Sequence, residues 1–114
     1  MWNETEQERV LRELTKCLAS YFAMPSGEVE NLLSDLLISL EAETMLLDKY
    51  VSHQDDSHFA FARDSVAIVA KRLKSRYLLD ACKSIEGEPT PEQKANVVLF
   101  YKRIRELREW FINN

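Results

Sequence analysis

The stretch SHFAFARDSVAIVAKRLKSRYLLDACKSIE, residues 57–86, decides the fold. Along it Phe59, Ala62, Val66, Val69, Leu73, Tyr77, Ala81 and Ile85 recur at steps of three and four. That is the period at which a helix returns to the same face. The spacing predicts one long helix over 57–86, on which the other apolar stretches are expected to pack. The whole chain of 114 residues has only two glycines and three prolines, and strand-like alternation is absent. The class is therefore all-α.

Working outward, Leu11, Leu14, Leu18 and Tyr21 make the stripe of a first helix over about 5–23, widened by Val10, Cys17 and Phe22. Thr5 and Glu8 have the spacing of a capping box. Met24-Pro25-Ser26-Gly27 ends that helix, because proline disfavours helical backbone in the residue before it. Ser26 is then placed to cap a second helix over about 27–51. Its stripe of Val29, Leu33, Leu36, Leu40, Leu47 and Val51 is broadened by Leu32, Leu37, Ile38 and Leu46, a width that implies contact on two sides.

A polar connector, Ser52 to Ser57, precedes the central helix, with Asp56 or Ser57 as its cap. Gly87 supplies a left-handed stop. Thr90-Pro91-Glu92-Gln93 reads as a helix start, with threonine as cap, proline at the first position and glutamine closing a capping box. The last helix, about 91–112, carries Val97, Phe100, Ile104, Leu107 and Phe111, with Val98, Tyr101 and Trp110 beside them. Four helices with short connectors predict a single domain over 1–114: an antiparallel, up-and-down four-helix bundle.

Hydrophobic residues make up 46% and charged residues 30%, which suits a globular domain able to bury a core without metal or disulfides. The net charge of −4 is uneven: residues 1–50 carry ten acids against four bases, and residues 51–114 nine against eleven. An acidic chain argues against nucleic acid as partner, since phosphate contact needs a positive face. The acidic N-terminus has no signal-peptide pattern, no apolar run reaches membrane-spanning length, and a reducing cytoplasm is the expected location.

Few constellations offer chemistry. His53, Asp55, Asp56 and His58 fall within six residues, but their spacing matches no helical metal motif, so they read as a solvated connector that caps a helix. Cys17 and Cys82 stand far apart, in no CxxC or histidine-rich company and with no general base or helix N-terminus to activate the thiol. Both glycines are isolated, so no phosphate-cradling loop exists. Glu41 and Glu43 point to different sides of a helix and make a poor acid–base pair. No enzyme activity, cofactor or metal is expected. Residues 18–32 have the apolar outline of a helix-turn-helix, yet Glu28, Glu30 and Asp35 would repel phosphate where a recognition helix needs cations.

From Asp64 to Glu86 the chain resembles histidine-phosphotransfer domains in outline. Leu78, Cys82, Ile85 and Glu86 are similar to the tail of their central motif. Asp64 stands where the phosphorylated histidine belongs, Ala67 where a lysine belongs, and Ile68 where a small residue admits the receiver. The resemblance implies a four-helix bundle that binds response regulators without phosphoryl chemistry. His58, near the start of the same helix, is a second place for a phosphohistidine, although Phe59 and Phe61 crowd it and no lysine follows within a turn.

The aromatic surplus points to protein binding. Phe59 and Phe61 cannot share one helix face, nor can Trp110 and Phe111, and aromatics outside a core stripe are what partner surfaces contain. The expected function is a non-enzymatic interaction module of adaptor, chaperone, immunity or regulator type that also self-associates as a homodimer. Phe61, Tyr101, Trp110 and Phe111 are the expected anchors. Lys71, Arg72 and Arg103, on the two basic helices, would set orientation. A nucleic-acid-binding regulator that uses this basic face is the remaining alternative.

Overall fold

The computed structural model describes residues 2–87 and 90–113. Among the described residues there are five α-helices, one 3-10 turn and no strand. They form one all-helical body with extents of 42 × 27 × 19 Å. A helix with its side chains is about 10 Å across, so the short dimension holds two layers of helices with one core between them.

The first helix, α1, spans Glu4–Phe22 and starts earlier than Thr5. Asn3 caps it, its side chain accepting from the Glu6 backbone N–H at 3.0 Å. Asparagine is the stronger cap, and this start also puts Glu4 and Glu6 in the first turn, where the helix dipole favours acids. At its other end Ala23 takes the left-handed conformation (φ 53°), and Met24 N–H bonds back to the Ala19 carbonyl at 2.9 Å. Ser26 does not cap the second helix. It opens a 3-10 turn, Ser26–Glu28, and α2 begins at Glu30 with no side-chain cap. Val29, fully buried, ties the turn to the core.

The second helix, α2, spans Glu30–Ser52 and is the hub of the fold. It packs against α1, α3 and α5, most extensively against α5 and α3. The hub expected at 57–86 is thus displaced onto the helix whose stripe was too wide for one neighbour. Leu33, Leu37, Leu40, Leu47 and Val51 of α2 are buried. A half-buried Arg108–Glu41 ion pair ties α2 to α5.

The single helix over 57–86 is the main correction. The structure breaks it into α3, Asp56–Leu73, and α4, Arg76–Ser84. Asp55 caps α3, its side chain accepting from His58 N–H. Lys74 is left-handed (φ 56°) and stops α3, while Ser75 caps α4 by accepting from Leu78 N–H. Across the break the buried stripe slips by one residue, so Leu78 and Cys82 enter the core in place of Tyr77 and Ala81. The described chain therefore has five α-helices instead of the four expected.

The fifth helix, α5, spans Pro91–Asn113. Thr90 Oγ1 accepts from Gln93 N–H at 3.1 Å, as a capping threonine should. Gln93 does not close the box. Its buried side-chain amide donates to the carbonyls of Ile85, Glu86 and Gly87 at 2.6, 3.0 and 2.9 Å. It thereby satisfies acceptors left open beyond the end of α4. Gly87 has the positive φ (86°) expected of a residue just past a helix. Among the described residues, no helix is long and apolar enough to cross a membrane.

Candidate interaction surface

The seven residues singled out from the sequence do not share one surface. Phe61, on α3, is 76% exposed. Tyr101, on α5, is half-buried, and the Arg105 guanidinium lies 5.7 Å from its ring centre. Trp110 and Phe111 are half-buried and pack against the core. Lys71 and Arg72 are exposed on α3, whereas Arg103 lies on α5, and each of those two helices packs mainly against α2.

Arg103 is instead drawn inward. Its guanidinium lies 5.0 Å from the Trp2 ring centre, and its buried Nε–H has no acceptor among the described residues. Trp2 in turn donates from Nε1 to Glu106 at 2.8 Å and stacks on Tyr77. Trp2, Tyr77 and Arg103 line a cleft of ≈ 390 Å³ between the start of α1, α4 and α5. Two of its other charges pair, Arg9 with Glu6 at 2.9 Å, and the Arg9 bond holds the Glu6 carboxyl below the usual range, while Asp80 also lines the cleft. Burial pushes the Tyr77 phenol up to about 12. Lys71 lines a second cleft, between α3 and α4, whose Arg63 and Lys83 are interleaved with Asp64 and Glu86.

A different surface stands out. The last turn of α1 presents Tyr21 and Phe22, 52% and 47% exposed, with rings edge-to-face at 4.9 Å. Beside them Leu18, Leu32, Leu36, Val69 and Leu73, from α1, α2 and α3, line a concavity of ≈ 330 Å³. Asp35 on the α2 wall and Arg72 on the α3 wall are its charged members. The sequence carried a signal for it. Consecutive residues on a helix diverge by about 100°, so Tyr21 and Phe22 cannot both face the core.

The histidine connector has a definite geometry. His58 Nδ1 lies 2.7 Å from Asp55 Oδ2, and its ring stacks on Tyr50 at 5.2 Å. The side-chain and backbone bonds from His58 hold the Asp55 carboxyl below its ordinary range. His53 turns the other way, its Nδ1 lying 2.7 Å from the Lys49 carbonyl. Among the described residues no three His, Cys, Asp or Glu side chains converge on a metal position. Cys17 and Cys82 are free thiols, and burial pushes both up, away from the reactive thiolate.

Of the tail that resembles the phosphotransfer motif, Leu78 and Cys82 sit on α4 and Ile85 and Glu86 follow its end, all separated by the Lys74–Ser75 break from the helix that carries Asp64, Ala67 and Ile68. The one continuous helix that the apolar spacing predicts over 57–86, along which the resemblance runs, is absent. No protein-family model, curated protein or solved structure gives a significant match to the chain.

Proposed function

We propose that this protein is a non-enzymatic protein-binding module whose docking surface is the groove beside Tyr21 and Phe22. One observation carries the reading. Two adjacent aromatic rings, each about half exposed, border a concavity whose lining is apolar save for one acid, one base and a serine. Apolar residues exposed singly are ordinary, but a contiguous patch with aromatic anchors is the composition of a protein contact. Trp110 and Phe111 contribute to the core in this reading, and Phe61 stands apart on α3.

Replacing Phe22 by aspartate tests it. Tagged wild-type and Phe22→Asp proteins would be compared for stoichiometric capture of a purified or endogenous partner, with helical circular dichroism recorded for both. Capture lost in the variant while helicity is kept supports the groove. Capture that the substitution leaves unchanged removes it.

A further inference from the structure

We infer that the occupant of the Tyr21–Phe22 groove is a second copy of this chain, docked about a two-fold axis. The inference rests on the reading of that groove as a docking surface and names its partner. Two features of the patch point to self-complementarity, which an isologous contact requires because each copy offers the same surface to the other.

The first feature is shape. Tyr21 and Phe22 at the end of α1, each about half exposed, line one hollow together with Leu32 and Leu36 of α2 and Val69 of α3. A two-fold rotation seats each copy's rings in the other's hollow and removes both apolar surfaces from water together.

The second is charge. Asp35 and Arg72 sit on opposite walls of the hollow, and neither forms an ion pair or a side-chain hydrogen bond with any described residue. Rotation about the same axis sets Arg72 of each copy against Asp35 of the other, giving two pairs across an otherwise apolar, neutral patch. An unrelated partner would need its own acid and base at matched positions. A second copy carries them by construction, and complementary charge of this kind fixes register and partner choice.

Sedimentation equilibrium of the full chain from about 1 µM to about 1 mM, a span that brackets weak to moderate affinities, is the test. A reversible monomer–dimer equilibrium is expected, with Phe22→Asp weakening it at least about tenfold. Asp35→Arg and Arg72→Asp should each weaken it severalfold, while the double exchange Asp35→Arg/Arg72→Asp restores it to within about threefold of wild type. That restoration decides the matter even if Phe22→Asp perturbs folding. A wild-type chain that stays monomeric throughout, or a dimer indifferent to all these changes, overturns the second copy as occupant. The broader reading fails separately. A monomeric chain that captures a different protein, and loses it on Phe22→Asp, keeps the docking surface and refutes only the second copy.

Discussion

Ser75 Oγ, at the break between α3 and α4, donates to Glu13 Oε1 on α1 across 2.6 Å. The same carboxylate accepts the Tyr77 backbone N–H at 3.3 Å, and Ser75 Oγ accepts from Leu78 N–H at 3.2 Å. A helix start leaves its first N–H groups without partners, and its dipole welcomes negative charge. One side chain from the opposite end of the sequence order thus fixes where α4 begins and which way it points.

Removing that arrangement has a defined cost. Ser75→Ala takes away both the cap and a hydrogen bond to a carboxylate, and should destabilise by about 1–2 kcal/mol in urea titrations. Glu13→Ala should cost a similar amount. Because the two side chains share one bonded group, the double variant should lose at least about 0.5 kcal/mol less than the two single losses together. Strict additivity would mean that α1 does not hold the break.

Among the described residues, three other than glycine adopt positive φ: Ala23 at 53°, Gln54 at 55° and Lys74 at 56°. A Cβ makes this conformation costly by roughly 1–2 kcal/mol, and glycine is released from it. Part of the gain is offset, since glycine widens the unfolded ensemble. Ala23→Gly and Lys74→Gly should therefore each stabilise by about 0.5–1 kcal/mol. Both sites are exposed, so little packing is lost. A lower denaturation midpoint in either variant would contradict the left-handed assignment.

Alkaline pH should act through Tyr77. Burial raises its phenol from the ordinary 10 to about 12, with Glu106 and Glu13 adding to the rise and Arg103 opposing it. The neutral form is the one that fits the fold. Its contribution is complete below pH 10, where the unfolded chain also keeps the proton, and is lost as pH climbs from 10 towards 12. One pH unit inside that window is worth about 1.4 kcal/mol. Wild type should lose about 1 kcal/mol more than Tyr77→Phe between pH 9 and pH 11 in matched urea titrations. Parallel losses would mean that Tyr77 ionises as freely in the fold as in the unfolded chain.

Much of the fold was legible because periodicity records a face. Leu11, Leu14, Leu33, Leu40, Val66, Val97 and Ile104 are all buried, and each stood on its predicted stripe. The α3–α4 break was hidden, since a one-residue phase slip between Leu73 and Leu78 is smaller than the width of the stripe itself. The group that enforces it, Glu13, lies 62 residues from Ser75, beyond the reach of any local pattern. Gln93 misled for the same reason, its capping-box position being overruled by carbonyls at the end of another helix. The groove is assembled from α1, α2 and α3, and its Tyr21–Phe22 rim falls on the first helix's predicted core stripe, whereas the structure leaves both rings about half exposed.

The aromatics of α3 and α5 separate core from surface in a way that stability can read. Trp110 and Phe111 pack on the core, whereas Phe61 points outward and is 76% exposed. Truncating a packed aromatic removes transfer free energy and leaves a cavity; the full cost for a buried ring is about 3–5 kcal/mol. For half-buried rings roughly half of that is expected, so Trp110→Ala and Phe111→Ala should each cost about 1.5–2.5 kcal/mol. Phe61→Ala has no cavity to create and should change stability by less than about 0.5 kcal/mol. Thermal and urea unfolding of the three variants, followed by far-ultraviolet circular dichroism, make the comparison. If Trp110→Ala unfolds at the wild-type midpoint, its ring does not belong to the core, and the tryptophan returns as an anchor for a partner. If Phe61→Ala is the costly one, the outer face of α3 is covered in solution by something that holds the fold together, and the docking surface must be sought there instead of beside Tyr21 and Phe22.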